Sequence, residues 1–335
     1  MEEQRYSANL PSVGLATFFR SPVCEDFSKI DADVAFLGIP YDCGIGFRPG
    51  TRFGPREIRS FSVRYSAWGG HKANGYWDVN QRKRFLNGVS MVDCGDVDIT
   101  YYDFDINRRK ITSSIEKILD RGAFPVLIGG DHSVTFPNVC AFSRFGPVDI
   151  VHIDAHMDWR DEIGGVRFAN ASPLRRSKEL PSCATWCSWA SAMCAPATTR
   201  SPTPRRPGPG SSPAQDIRER GVNAVLEQLP PLGNTFVTID IDGLDPLDRS
   251  RHRLADRRRS ALSRGASFAA GRGQARARGW LRPGRGQSVR GCARPDLSAG
   301  RHAHAGVPGC DLRRARPQGS EYPARSHRKV SFAVV

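Results

Sequence analysis

Four short apolar segments constrain the fold of this chain more than any other feature of its sequence. Each runs for five or six residues without the alternation of a half-exposed strand, and each ends in an acidic or glycine-rich loop. Near-continuous hydrophobicity of this length is typical of a parallel strand that is buried on both faces. The segments are VAFLGIP (34–40), FPVLIGGDHS (124–133), VDIVHIDAHMD (148–158) and NTFVTIDIDGLDP (234–246).

Helix-compatible segments separate these strands. Residues 105–122 have one apolar face at helical spacing, and Gly122 is suited to end that helix. Residues 216–230 precede the last strand in the same way. Alternating strands and helices predict an α/β fold with three αβα layers around a mainly parallel sheet, whose sites form at the carboxyl ends of the strands. The apolar face of the first helix consists of Ile111, Ile115, Ile118 and Leu119.

Length and composition disfavour several classes of protein. The 335 residues suffice for one large α/β domain or two modest ones, and they contain no apolar run long enough for a membrane span. The first residues, MEEQRYSANL, lack the basic and apolar regions of a signal peptide, which favours a cytoplasmic location. The nine cysteines have no repeating spacing, so neither a disulfide framework nor a zinc knuckle at Cys183, Cys187 and Cys194 is favoured.

Acidic and imidazole side chains follow three of the predicted strands. Because residues two apart in an extended segment point the same way, D-x-H-x-D presents three ligands on one side and D-x-D presents two. Four carboxylates and two imidazoles without thiolates suit two divalent ions, which at about 3.5–4 Å separation can activate a water. Alternatively, Asp154 and Asp240 cap turns and His156 is a core histidine, but three such motifs together disfavour that interpretation. The six candidate ligands are His132, Asp154, His156, Asp158, Asp240 and Asp242.

These motifs resemble those of a known family. GGDHS, DAHMD and DIDGLDP resemble the three metal motifs of the ureohydrolases, which include arginase, agmatinase and guanidinobutyrase. The segment GIPYDCGIGFRPGTRFGPREIR (38–59) resembles the agmatinase branch. The in-frame similarity covers residues 30–181 and 214–246. The resemblance implies an arginase-like fold, two Mn²⁺ ions, a small guanidino substrate such as agmatine or guanidinobutyrate, and a homo-oligomer.

The resemblance also implies a role for each motif residue. Asp158 would hold the hydroxide that attacks the guanidinium carbon, and collapse of the intermediate would release urea and an amine. Many relatives have a histidine where this chain has Asn170, a candidate substrate contact that cannot shuttle protons. As ligands, Asp154 and Asp240 would bridge both ions, His132 and Asp158 would complete one, and His156 and Asp242 the other.

Two segments differ in composition from the rest of the chain. Residues 182–213 are rich in Pro, Ser, Thr and Ala, and residues 247–335 contain no Ile, Met, Asn or Thr but abundant Arg and Gly. The family's APGTG loop and a later glutamate in a V-E-V motif, which grips the guanidinium, are both absent in frame. With permitted codons and one shifted frame, residues 247–260 become SIAPGTGSPTVDG and residues 280–291 become GFDLVEVNPYV. In the other shifted frame, residues 185–196 become MVQLGIRNVRT.

These alternative translations predict that residues 182–213 and 247–335 are out-of-frame translations of a GC-rich gene and are not natively folded. The net charge of +15 is otherwise typical of a nucleic-acid-binding protein, but charge from shifted codons carries little functional weight. We therefore expect one ureohydrolase domain over residues 1–335 with neither nucleic acid nor membrane as a partner. The chain itself is expected to be insoluble or inactive, because a sheet without its final strands exposes an edge.

Three interpretations stay open beside the amidinohydrolase. The first is a metal-binding relic without activity, the second is a deacylase with one zinc ion, and the third is a basic nucleic-acid-binding protein. A further choice concerns Arg175 and Arg176, which follow the second motif. They either meet an acidic substrate such as guanidinobutyrate or begin a solvated helix.

Overall fold

A seven-stranded sheet in which every pairing is parallel forms the centre of the computed structural model. The structure describes residues 12–68, 75–79, 81–100, 102–189, 211–244 and 330–334. The strands are β1 Val34–Gly38, β2 Tyr76–Asp78, β3 Lys83–Phe85, β4 Met91–Asp96, β5 Phe124–Ile128, β6 Val148–Ile153, β7 Cys183–Trp189, β8 Asn234–Ile239 and β9 Val330–Val334. The order across the sheet is β4-β1-β5-β9-β8-β6-β7, and β2 and β3 form a separate antiparallel hairpin.

The four strands predicted from the apolar segments are all present, as β1, β5, β6 and β8. All six residues of β6 are buried, as are four of the five in β1. Burial on both faces explains the unbroken hydrophobicity of these segments, since neither side of the strand meets water.

Helices cover both faces of the sheet. They are α1 Gly54–Ser62, α2 Phe104–Asp120, α3 Thr135–Phe142, α4 Pro173–Lys178, α5 Ala214–Arg220 and α6 Val222–Leu226. The largest apolar cluster joins Val148 and Ile150 of β6 to α2, α3 and α4. Val151 and Ile153, on the opposite face of the same strand, pack with Val225 of α6 in a second cluster. The three-layer α/β architecture expected from the sequence is therefore confirmed.

The predicted helices differ from the observed ones in one respect. Helix α2 follows the prediction: Asp103 caps it by accepting a hydrogen bond from the Ile106 backbone N–H, and Gly122 follows its end with φ 75°. By contrast, residues 216–230 do not form one helix. Gly221 has φ 81°, which a helix cannot accommodate, and it divides the segment into α5 and α6.

Two strands lie inside the segments assigned to shifted frames. Strand β7 pairs with β6 at one edge of the sheet, and β9 pairs with β5 on one side and β8 on the other. We expect from the sequence that a sheet without its final strands exposes an edge, and this expectation stays a prediction. Removing β9 would open the middle of the sheet, because β5 and β8 meet only through it in the described part of the chain. The hypothesis of shifted frames stays a prediction.

None of the helices within the described ranges has the length and apolar character that crossing a membrane requires. All described residues belong to one compact unit of the chain. The fold therefore brings the carboxyl ends of β5, β8 and β6 to one edge of a single sheet, where the candidate ligands follow.

Candidate metal centre

The loop after β5 places His132. Its neighbour Asp131 caps a short 3-10 turn, and the Asp131 carboxylate accepts hydrogen bonds from the backbone N–H groups of Ser133 (2.8 Å) and Gly44 (2.7 Å). The Asp131 N–H in turn donates to the Tyr41 carbonyl at 2.7 Å. These bonds hold the loop after β1 against the loop after β5, so His132 enters the site from a rigid turn.

The loop after β6 supplies three ligands from five residues. Asp154 Oδ1 accepts a hydrogen bond from the His156 N–H at 2.6 Å, which tightens the turn between them. Asp158 has φ 43°, in the left-handed region that a residue with a Cβ adopts at a cost of about 1–3 kcal/mol. This strain turns the Asp158 carboxylate back toward His132, whose Nδ1 lies 2.6 Å from Asp158 Oδ2.

The loop after β8 packs directly on the loop after β6. The Asp240 N–H donates to the Ile153 carbonyl at 2.8 Å, and Asp240 Oδ1 accepts from the Asp242 N–H at 2.9 Å. A Cβ on Gly243 would lie 2.9 Å from the Asp154 Cα, closer than such atoms approach. Glycine in D-x-D-G therefore permits the close contact of the two acidic loops.

The six candidate ligands converge in two overlapping groups. In the first group, His132 Nδ1 lies 3.1 Å from Asp154 Oδ2 and 3.5 Å from Asp240 Oδ2, with Asp158 completing the set. In the second group, His156 Nδ1 lies 3.0 Å from Asp242 Oδ2 and 3.6 Å from Asp154 Oδ1. Asp154 belongs to both groups, as the sequence predicts for a bridging ligand, whereas Asp240 belongs to the first alone.

The charges of the cluster displace the pKa values of its members. Burial, together with the charges of Asp154 and Asp242, raises the pKa of Asp240 to about 7. Burial acts to lower the pKa of His132, but hydrogen bonds to Asp154 and Asp158 outweigh it and hold that pKa well above its usual value. Burial acts to raise the pKa of Asp154, but hydrogen bonds from His132 and His152 leave it well below the usual range. Crowded carboxylates of this kind favour a bound cation.

The sequence prediction missed His152. Its Nε2 lies 2.8 Å from Asp154 Oδ2, and it forms a third group of potential ligand atoms with His132 and Asp154. The signal was available, because the alternation of β6 places His152 on the same side as Asp154. The prediction passed over it because it followed the D-x-H-x-D motif and began at Asp154.

The remaining predicted contacts lie at the border of the site. The Asn170 N–H donates to the Gly44 carbonyl at 3.0 Å, which places Asn170 beside the loop after β1. Its role as a substrate contact stays a prediction. Arg176 is buried, and its Nη2 lies 2.5 Å from Asp161 Oδ1 and 2.9 Å from Glu179 Oε1. Since Arg175 contacts the same two acids, neither arginine fits the suggested part of meeting an acidic substrate.

A cavity of about 470 Å³ lies next to the loop that contacts Asp131. Phe104, one of its lining residues, stacks on Phe168 with ring centroids 4.7 Å apart, two residues before Asn170. An ion pair between Arg52 and Asp42 borders the cavity. The lining residues are Tyr41, Cys43, Arg52, Tyr102 and Phe104.

The fold and the ligand cluster define a class of α/β proteins that gather metal ligands at the carboxyl ends of a parallel sheet. Residues 32–248 match the family model described as the arginase family, and the chain belongs to that family. It is similar to the mitochondrial agmatinase of Gallus gallus, with 31% identity over 245 residues that cover 70% of this chain and 67% of that protein.

Two further similar proteins have names that indicate other substrates. The guanidinobutyrase of Pseudomonas aeruginosa is 36% identical over 168 residues, half of each chain. The solved structure of proclavaminate amidinohydrolase from Streptomyces clavuligerus superposes with a TM-score of 0.59 and 26% identity, covering 72% of this chain and 78% of that one. The chain spans only 43 to 50% of the length of several curated relatives.

Proposed function

We propose that this protein is a binuclear manganese amidinohydrolase that cleaves a guanidino compound, of the agmatine or guanidinobutyrate type, to urea and an amine. The observation that carries the proposal is the convergence of six ligands from three strand ends, with Asp154 shared between two groups. Membership of the arginase family supports the same class of reaction.

The donor set fits two hard divalent cations. It consists of imidazole nitrogens and carboxylate oxygens, which suit manganese, and it includes no thiolate. The raised pKa of Asp240 reports unbalanced negative charge in a buried place, which two cations would neutralise. Asp154, which lies in both groups, would help to hold both ions; His132, Asp158 and Asp240 would hold one, and His156 and Asp242 the other.

Two bound ions supply Lewis acidity that activates a water for attack on the guanidinium carbon. The chain's own residues orient that chemistry. The Asp158 carboxylate, turned inward by its left-handed backbone, accepts the proton of the attacking water and holds it beside His132. Asn170 would contact the substrate from the border of the site; since it cannot relay that proton, Asp158 itself would return it to the leaving amine.

The cavity beside the site would hold the remainder of the substrate. Its volume of about 470 Å³ falls within the range of pockets that bind small molecules. Three aromatic rings, those of Tyr41, Tyr102 and Phe104, line it and suit the methylene chain of agmatine or guanidinobutyrate. The Arg52 side chain in its wall is already neutralised by Asp42, so the wall favours neither a carboxylate nor an amine by charge.

Because of the shifted frames, the proposal differs between the frame-restored protein and the present chain. The frame-restored protein would contain the APGTG loop and the V-E-V glutamate that grips the guanidinium. The present chain retains all six ligands but lacks both features, so we expect it to bind metal without turnover or to be insoluble. A catalytically dead relic is the corresponding second candidate if the shifts are genuine in the organism.

The test compares the two proteins side by side. Both are purified, loaded with manganese and assayed for urea with agmatine, guanidinobutyrate and arginine. We expect urea from the frame-restored protein alone, and Asp158→Asn in that protein should abolish it. Urea release by the present chain would contradict the frame hypothesis.

We further propose that the protein acts in the cytoplasm as a homo-oligomer and binds neither nucleic acid nor membrane. The chicken relative, by contrast, is named as mitochondrial. Size-exclusion chromatography with light scattering tests the assembly. A salt-sensitive gel shift with DNA or RNA would contradict the absence of a nucleic-acid partner.

A further inference from the structure

His152 lies behind the candidate ligands and is fully enclosed. Its side chain is 0% exposed, and both ring nitrogens have partners: Nε2 lies 2.8 Å from Asp154 Oδ2 and Nδ1 lies 3.0 Å from Ser188 Oγ. The ring stacks on His132 with centroids 5.2 Å apart and an interplanar angle of 22°. The His152 ring is therefore held by Ser188 of β7, by the Asp154 carboxylate and by stacking on His132.

We propose that His152 is a positioning residue of the metal centre, which fixes the Asp154 carboxylate before any ion binds. This inference rests on the proposed two-ion centre. A carboxylate can only accept, so Nε2 carries the hydrogen in the contact with Asp154. Nδ1 is paired with the Ser188 hydroxyl, which keeps the ring from rotating. Asp154 Oδ1 is held separately by the His156 N–H at 2.6 Å.

The shared position of Asp154 makes this restraint consequential. Asp154 contributes to both ligand groups, and both of its oxygens are held: Oδ2 contacts His152 and His132, and Oδ1 accepts from the His156 N–H. Because this carboxylate is already held in one orientation, it loses no further rotamer freedom when the ions bind, and this favours their binding. Outer partners of this kind typically change metal affinity by about 10–100-fold when removed.

His152 could instead be a metal ligand itself, since it forms a group with His132 and Asp154. That group contains one carboxylate, and all three of its members are buried. A divalent ion there would meet one negative charge and no open position for water. The other two groups contain three and two carboxylates, and the half-exposed His156 gives the second an opening to solvent. The geometry thus favours a role behind the ligand over a role as a ligand.

The role of the Ser188 hydroxyl can pass to another side chain in the restored frame. Ser188 lies in the segment 182–213 that the sequence assigns to a shifted frame. In the alternative translation MVQLGIRNVRT, the codon for glutamine straddles Cys187 and Ser188. A glutamine amide can also hydrogen-bond Nδ1, so the restored protein keeps the restraint on His152 where this glutamine takes the strand position of Ser188.

The test measures manganese binding, without substrate, by titration calorimetry on the full chain and four variants. His152→Phe removes both hydrogen bonds while retaining a ring, and His152→Gln retains a donor toward Asp154. Ser188→Ala removes the outer partner alone. Thr112→Val is the matched control, because it removes the hydrogen bond of a part-buried hydroxyl to the Pro137 carbonyl on the neighbouring helix α3.

We expect His152→Phe to keep two ions per chain but to weaken their binding about 10–100-fold, with a smaller loss in Ser188→Ala. His152→Gln should restore most of the affinity, and Thr112→Val should match the unsubstituted chain. Metal-free melting curves show which variants are folded; if His152→Phe is not, Ser188→Ala and His152→Gln decide.

Three results would overturn the inference. Unchanged affinity in His152→Phe, or in Ser188→Ala if the former is unfolded, would show that the hydrogen bonds do not position Asp154. The loss of one ion per chain in His152→Phe, or no manganese binding by the unsubstituted chain, would also refute it. Two-ion binding with the expected losses, together with no urea release by the frame-restored protein, would instead contradict the proposed function alone.

Discussion

Replacing Asp240 with asparagine should stabilise the metal-free protein while it damages the metal site. In the absence of cations, burial and the charges of Asp154 and Asp242 raise the pKa of Asp240 from 3.8 to about 7. A carboxyl whose pKa is higher in the folded state than in the unfolded state destabilises the fold when it ionises. The penalty is therefore complete above pH 7 and declines as the pH falls toward 4.

The size of the effect follows from that displacement. A difference of about three pKa units corresponds to about 4 kcal/mol of unfolding free energy above pH 7. The Asp240 side chain is 18% exposed, so water screens little of it, although rearrangement of the neighbouring acids absorbs a part. Asparagine keeps the acceptor for the Asp242 N–H and removes the charge. We expect Asp240→Asn to gain about 1–3 kcal/mol at pH 8 in EDTA and much less at pH 4.

Urea-induced unfolding measures the change, with Glu227→Gln as the control because Glu227 is an exposed acid on the surface. The control should stay within about 0.5 kcal/mol of the unsubstituted chain. Manganese should reverse the order, since an ion at 100 times its Kd stabilises the unsubstituted protein by about 2.7 kcal/mol and the variant by less. An Asp240→Asn variant that is no more stable than the parent at pH 8 in EDTA would refute the electrostatic reasoning.

Three other predictions address the site and its support. Manganese affinity should fall as the pH drops below about 7, because Asp240 and His132 must release protons to bind; calorimetry between pH 6 and 8 should show this, and a flat profile would contradict it. Gly243→Ala should weaken manganese binding about tenfold or more, since its Cβ collides with Asp154; binding equal to the parent would argue against that contact. Arg176→Met should change the unfolding free energy by about 1 kcal/mol or less, because Asp161 is 44% exposed and keeps its contact with Arg175; a loss of about 3 kcal/mol or more in denaturant melts would contradict this.

The elements that the sequence predicted correctly share one physical property. Most residues of strands β1, β5, β6 and β8 are buried, and this burial leaves a near-continuous apolar signature in the sequence. The candidate ligands were found because alternation within an extended segment places residues two apart on one side. Both signals are local, so a single chain displays them without any knowledge of its partners in space.

The features that the sequence did not predict depend on contacts between distant segments. Strand β9 occupies the centre of the sheet, a position that a five-residue apolar stretch cannot specify by itself. The pairing of Arg176 with Asp161 depends on how the loop before α4 folds back over it. His152 lies inside a predicted strand, but its purpose becomes visible only when β7 brings Ser188 to its other side.

A nucleotide sequence across codons 175–300 decides which protein the gene encodes. Single-base insertions or deletions that are errors would yield the restored frame with its V-E-V glutamate. Shifts that are genuine in the organism would leave a chain with a metal site and no means of gripping a guanidinium.

Urea release by the frame-restored protein tests the central claim most directly. We expect the manganese-loaded, frame-restored protein to form urea and the corresponding amine in equal amounts from at least one guanidino compound. The Asp158→Asn variant should form neither product. A folded, restored protein that binds two ions per chain yet releases no urea from agmatine, guanidinobutyrate or arginine would contradict it.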